Sequence, residues 1–277
     1  PIDKMRDPNA IHYLNKLTKP FILRRTKQQV AKDLPEKIET VLYCEMKEDQ
    51  WAAYEAIKAE VGNSVFLDIQ NRGLEKSRMN ILTAIGKLRQ ICSHPALISD
   101  SIYDATSSIK LEMLIEEIER NIGSHKVLVF SQYLGMLDII SKELNQLKIK
   151  HFRFDGSTAS NKRMEMVDAF QKEDSEERIF LVSLKAGNSG ITLTEADYVF
   201  LVDPWWNEAI QRQAIDRTHR IGQKKTVFAY KMICKNTLEE RMLQLQDRKQ
   251  HIANELVVED ENIVKNLSLE DIEFLFS

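Results

Sequence analysis

The stretch from Gln211 to Gln223, QRQAIDRTHRIGQ, places three arginines and a histidine within thirteen residues. No Pro or Gly interrupts it before Ile221-Gly222, so the pattern predicts a helix from Glu208 through Arg220. On such a helix Arg217 and Arg220, three apart, share a face, and Gln213 lies one turn before Arg217. The pair is then a fork of guanidinium donors that cannot lose their charge. It suits a planar or tetrahedral oxyanion, of which phosphate is the commonest. Read alone, the same residues also fit a solvated basic face paired with Glu208 and Asp216.

Two further stretches carry chemistry. In Lys185-Ala186-Gly187-Asn188-Ser189-Gly190 the glycines free the backbone to bend, and exposed amides there can hold a phosphate. It is not a Walker A loop. No Gly-x-x-x-x-Gly-Lys-Ser/Thr occurs, and the only Gly-Lys, Gly86-Lys87, falls in a predicted helix. A tight strand-to-helix connection is the plainer alternative. Trp205-Trp206-Asn207 directly follows a strand end, where two adjacent indoles cannot easily both be buried. An exposed ring beside basic groups can meet a nucleic-acid backbone or base, while Trp205 equally suits packing beneath the helix. Val257 to Glu261 resembles a Walker B strand end only superficially and reads as acidic tail. His94, before Pro95, reads as a turn or capping residue rather than a ligand.

The elements that must position these stretches follow from periodicity. Ile38 to Cys44 alternates as a strand. Trp51, Tyr54, Ile57 and Val61, then Met79, Leu82, Ile85, Leu88 and Ile91, recur at helical spacing and predict two helices with a polar joint near Asn71-Arg72-Gly73. From Ser108 helices and strands alternate. Strands are predicted over 126–130, 150–154, 179–183, 198–203 and 226–234, and helices over 109–123, 132–147, 160–170, 208–220 and 238–256. A short helix over 267–276 has Ser268 as N-cap and Asp271 at its third position. This alternation implies a doubly wound parallel sheet with helices on both faces. Ligands in that architecture bind beyond the carboxyl ends of strands. Ser131, Asp155 to Thr158, Ser183 to Gly190 and Asp203 to Asn207 all fall at such ends.

Composition sets outer bounds. With 277 residues, 43% hydrophobic and 29% charged, the chain resembles an ordinary soluble protein. Its apolar runs are too short to span a membrane, and no signal peptide is evident. Three widely spaced cysteines suggest neither a disulfide framework nor a zinc site, and fit an intracellular setting. A first residue other than Met suggests a fragment. The net charge of −3 hides a basic segment at 19–37, another at 212–231, and an acidic one at 255–277.

Taken together, Lys126 to Tyr133 (KVLVFSQY), Phe152 to Thr158 (FRFDGST), Leu181 to Thr194 (LVSLKAGNSGITLT), Asp203 to Asn207 (DPWWN) and Gln213 to Gln223 (QAIDRTHRIGQ) resemble, in order, the C-terminal helicase motifs of the Swi/Snf-type chromatin-remodelling and DNA-translocating ATPases of helicase superfamily 2. Phe21 to Lys37 and Leu88 to Leu97 look like the same subfamily. The DRTHRIGQ string is highly specific, whereas DGST alone is weak. Asn188 departs from the usual second Gly and leaves the path of its loop open.

The resemblance implies an α/β fold: the second of two RecA-like lobes, a doubly wound parallel sheet with an added α-helical protrusion. Residues 1–35 would be the linker from an N-terminal lobe, and 36–105 a strand plus the protrusion. The lobe proper would be 106–256, and 257–277 an acidic segment with a short helix. ATP and Mg²⁺ would bind only when the N-terminal lobe is joined, so none is expected on this chain alone. Arg217 and Arg220 match arginines that reach the phosphates, with Gln213, Asp216 and Gly190 on the ATP side. Ser131, Asp155, Gly156, Ser157, Thr158, Lys185, Ala186, Gly187 and Trp206 match positions lining a DNA groove, and no metal ligand is implied. Implied partners are double-stranded DNA, the N-terminal lobe and protein–DNA complexes, within the cytoplasm, nucleoid or nucleus. The rival readings are a DNA- or partner-binding lobe that serves no hydrolysis, and an unrelated doubly wound nucleotide-binding enzyme.

Overall fold

Two uninterrupted apolar runs decide the centre of the fold. Val127–Ser131 and Ile179–Ser183 are buried at every position, as strands are when helices cover both faces of a parallel sheet. In the computed structural model they are β2 and β4. The remaining strands are β1 (Lys37–Cys44), β3 (His151–Phe154), β5 (Tyr198–Leu201) and β6 (Val227–Cys234). The sheet order is β1-β6-β5-β2-β4-β3, and every pairing is parallel. β1 lies in register with β6, from Lys37 beside Val227 to Cys44 beside Cys234, and so forms one edge of this sheet. The structure describes residues 33–98, 107–121, 125–186, 191–204, 208–253 and 267–277, with a few single positions besides. Pro35–Ser277 packs as one unit and Pro1–Leu34 as another.

The helices in chain order are α1 (Glu48–Arg72), α2 (Leu74–Ser93), α3 (Ile109–Asn121), α4 (Leu134–Gln146), α5 (Ser160–Gln171), α6 (Glu208–Ile215), α7 (Leu238–Ala253) and α8 (Leu269–Phe276). Side chains alternate across each strand, which divides the core in two. Val127, Val129, Ile179, Leu181, Phe200 and Met232 pack with α1 to α4, α7 and α8. Leu128, Phe130, Phe180, Val182, Val199 and Ala229 pack with α5 and α6. No helix among the described residues is long and apolar enough to cross a membrane.

The two-helix expectation holds, with its joint at Gly73, whose φ of +81° disfavours any side chain. Tyr54, Ile57 and Val61 are buried as their spacing implies. In α2 the buried stripe is Ile81, Ala84, Ile85, Leu88 and Ile91. Met79, expected in it, is 73% exposed, because it lies two residues and roughly 200° around the helix from Ile81. His94 does cap: its Nδ1 accepts from the Ala96 N–H at 3.1 Å. α8 opens on a capping box, with Ser268 and Asp271 each bonding the other's amide. Val257 to Glu261 and nearly all of the segment expected to be a linker lie outside the described residues.

The arginine motif also departs from expectation. The helix bearing the arginine motif ends at Ile215, not Arg220. The Arg217 carbonyl, which a continuing helix would direct to residue 221, accepts instead from the Leu193 N–H at 3.0 Å. The Thr218 hydroxyl takes the Ile215 carbonyl at 2.7 Å and closes the helix end. Arg217 and Arg220 therefore sit in a turn rather than on one helix face.

Candidate nucleotide and nucleic-acid sites

Because all strands are parallel, their carboxyl ends share one edge. Along it stand Ser131, the Asp155 to Thr158 turn, Ser183 to Ala186, and Asp203-Pro204. Gly187, Asn188, Gly190 and Trp206 lie outside the described residues.

The arginine turn is fastened to the chain that follows the glycine-bearing loop. Arg217 is buried, and its Nη1 donates to the Ile191 carbonyl at 3.4 Å. Its Nε has no hydrogen-bond partner among the described residues. Burial pushes its guanidinium below the ordinary arginine value, Arg220 adds to this, and Asp216 opposes it. Arg220 is exposed and donates to Thr192 Oγ1 at 3.2 Å. Gln213 is exposed and Asp216 half-buried. Gln223 bolts the base of the turn. Its Nε2 donates to the Ala196 and Thr218 carbonyls, and its Oε1 accepts from the Lys224 and Lys225 amides. His219 Nε2 donates to the Pro35 carbonyl at 2.8 Å, fixing the point where the chain enters β1. The result is two neighbouring guanidinium groups, one with an unfilled donor, held on a rigid base. An anion with several acceptor oxygens satisfies that arrangement.

The Asp155 turn is built differently. The Asp155 carboxylate accepts from the Ser157 hydroxyl at 2.5 Å, the Ser157 amide at 2.9 Å and Arg153 Nε at 3.0 Å. The Ser157 hydroxyl holds its carboxyl below the usual range; partial burial opposes this, and the Ser157 amide and Arg153 reinforce it. Thr158 Oγ1 accepts from the Asp155 amide at 3.1 Å. Asp155 thus shapes the turn, while Gly156 and Ser157 are exposed and Thr158 is half-buried. Lys185 is exposed and Ala186 half-buried. Ser131 is wholly buried, and its hydroxyl donates to Asp203 Oδ2 at 2.6 Å, which secures a strand end.

Sequence reasoning missed the polar cluster beneath this edge. Arg89, fully buried on α2, donates through Nη2 to the Asp203 carbonyl at 3.0 Å and the Pro204 carbonyl at 2.9 Å. Lys110, fully buried on α3, donates to the Val202 carbonyl at 2.7 Å and pairs with Glu239 at 2.8 Å. Burial works against the Lys110 charge, yet Glu239 holds the ammonium above its ordinary pKa. Burial raises the Asp203 carboxyl against the opposing Ser131 hydroxyl and Arg89. A signal was present. Arg89 follows Ile81 and Ile85 at intervals of four, and Lys110 precedes Leu114 and Ile118 likewise, so both cations occupy core positions of their helices.

Cys92, Cys234 and Glu239 also bring potential ligand atoms within 4.8 Å of one another. Glu239 is already committed to Lys110 and to the Cys234 amide, and burial pushes the Cys234 thiol well up. The described geometry is that of a filled ion-pair site.

Residues 109–222 match the helicase conserved C-terminal domain family, and residues 2–97 the SNF2-related domain family. The chain is 38% identical, over 99% of its length, to an uncharacterized ATP-dependent helicase of Mycoplasma genitalium, and covers 26% of that protein. It is 34% identical over its whole length to a putative ATP-dependent helicase/translocase of Bacillus subtilis, covering 30% of it. It therefore spans about a quarter to a third of these relatives. The C-terminal domain of the Sulfolobus solfataricus SWI2/SNF2 ATPase superposes with a TM-score of 0.69 at 30% identity, covering 87% of this chain and 98% of that one. The core of the same ATPase in complex with dsDNA gives 0.70 at 33%, covering 99% of this chain and 57% of that one. The sheet described above is thus the RecA-like fold of these ATPase cores.

Proposed function

Since this chain belongs to the SWI2/SNF2 ATPases as a C-terminal lobe, we propose that it is half of a motor that hydrolyses ATP while moving along double-stranded DNA or remodelling protein–DNA complexes. ATP and Mg²⁺ are held in a cleft closed by an N-terminal RecA-like lobe of the same protein, which brings the phosphate loop and the metal carboxylate. This chain brings Arg217 and Arg220 to the phosphates, and Gln213, Asp216 and Gly190 serve the ATP side. The observation that carries this reading is the Arg217–Arg220 turn, bolted to residues 191–196, with a buried Arg217 donor that no described residue fills.

Two cations reaching a transferring phosphoryl group favour the charge it develops, and an arginine finger contributes about 10³–10⁵ in rate. Supplying them from a second lobe makes hydrolysis conditional on closure. On the other part of the edge, Gly156, Ser157, Thr158, Lys185, Ala186, Gly187 and Trp206 meet the duplex backbone. Contacts to phosphate grip any sequence equally, as movement along DNA requires. That a Sulfolobus relative was solved in complex with dsDNA supports duplex DNA as the partner. The setting is intracellular, wherever DNA is found.

The test is ATP turnover by the two-lobe protein carrying Arg217→Ala or Arg220→Ala, measured beside duplex binding. Turnover is expected to fall by about three orders of magnitude or more while DNA affinity is largely kept. Parental turnover in Arg220→Ala would remove the arginine finger from the mechanism.

A further inference from the structure

Three consecutive carbonyls beyond β5 are capped by two cations from the helical layer. Lys110 takes Val202, and one nitrogen of Arg89 takes both Asp203 and Pro204. From the opposite side the Asp203 carboxylate accepts from the Ser131 hydroxyl at 2.6 Å and the Gln132 amide at 2.8 Å. The Val202 amide is bound to the Phe130 carbonyl. Residues 202–204 are therefore fixed on every side.

Neutral donors or water would satisfy those carbonyls at far smaller desolvation cost than two buried cations. What a guanidinium adds is a rigid planar fork. Here the fork belongs to α2, the second helix of the α1–α2 pair, and its other end nitrogen lies 3.4 Å from the Tyr133 hydroxyl. One side chain thus ties α2 to both the start of α4 and the end of β5.

We propose that Arg89 is a positioning residue that fixes, with Lys110, the chain leaving β5 as far as Pro204. The helical pair and the DNA-facing edge then move as one body. This rests on the reading that Trp206 meets the duplex. A displacement of an ångström at a working group costs on the order of a hundredfold in rate, so releasing the clamp should be read in coupling to DNA rather than in hydrolysis itself.

The experiment compares Arg89→Met, Arg89→Lys and Trp206→Ala in the two-lobe protein, following kcat with and without duplex and the DNA concentration for half-stimulation. Thermal melts check folding. Arg89→Met is expected to lower DNA-stimulated kcat by about ten- to a hundredfold while DNA-free turnover is unchanged. Arg89→Lys, which keeps the charge but reaches one carbonyl, should fall between. Parental stimulation in both Arg89 variants overturns the inference, as does equal loss of DNA-free and stimulated turnover. If Arg89→Met does not fold, Arg89→Lys decides alone. Parental stimulation in Trp206→Ala would instead overturn the reading beneath it.

Discussion

Replacing Lys110 by Met should unsettle this lobe more than any single surface change. Lys110 has no exposed side-chain area and Glu239 only 2%, with 2.8 Å between the ammonium and each carboxylate oxygen. Met fills much of the same volume, so little packing is lost. What remains is a carboxylate with no cation, out of reach of water, and a Val202 carbonyl without its donor. Breaking a buried pair in this way costs about 3–5 kcal/mol. At roughly 2–4 °C per kcal/mol for a chain of this size, the melting temperature should fall by about 6–20 °C. Urea unfolding of the 277-residue chain supplies the free energy, and differential scanning calorimetry the temperature. A second variant, Lys110→Met with Glu239→Gln, removes the stranded charge and should recover more than half of the loss. Destabilisation below about 1 kcal/mol, the usual worth of an exposed pair, would refute the argument. So would a double variant no more stable than the single one.

The chain alone should bind duplex DNA weakly and without sequence preference, with affinity falling steeply as salt rises, since its contacts are to phosphate; filter binding across a salt series checks this, and a flat response counts against the groove. It should show no DNA-stimulated ATP turnover by itself, because the phosphate loop is assigned to the other lobe; phosphate release by the purified chain is the measurement. The Asp155 carboxyl is held below its ordinary value in the folded chain, so the stability it contributes is full above the unfolded carboxyl pKa and is lost as pH falls through the folded one. Asp155→Asn should therefore flatten the acid limb of a stability–pH curve below about pH 4, and an unchanged limb would show that the turn does not depend on that charge.

Most of the architecture was legible because helix and strand periods alternate cleanly after Ser108. Lys126 to Phe130 and Ile179 to Ser183 read as strands from their apolar runs, and the structure has strands at Val127–Ser131 and Ile179–Ser183. The helix end at Ile215 was not legible. Nothing local forbids residues 216–220 from continuing the helix; the competitor is the Leu193 amide, a tertiary partner that takes the Arg217 carbonyl. Met79 was misassigned because α2 offers apolar residues on more than one face, and only packing chooses between them. Ser131 looked like an accessible hydroxyl at a strand end, whereas its bond to Asp203 joins two strands separated in sequence. Arg89 and Lys110 were readable in principle, as charges at core positions, yet the carbonyls they bind leave no trace in residue identity, and Glu239, which pairs with Lys110, lies far away in sequence.

The pairing of β1 with β6 has a consequence for how this lobe comes into being on the ribosome. β1 is made well before β6, the strand that completes its ladder, with Lys37 finding Val227. At about 5–20 residues per second the interval is roughly 10–40 s. The α1–α2 hairpin can form locally in that time, but β1 has no ladder to join. Until β6 emerges, Leu42 and Cys44 have no core to enter, and a bare strand edge is open to other nascent chains. Any truncation that stops before residue 227 makes this interim state permanent.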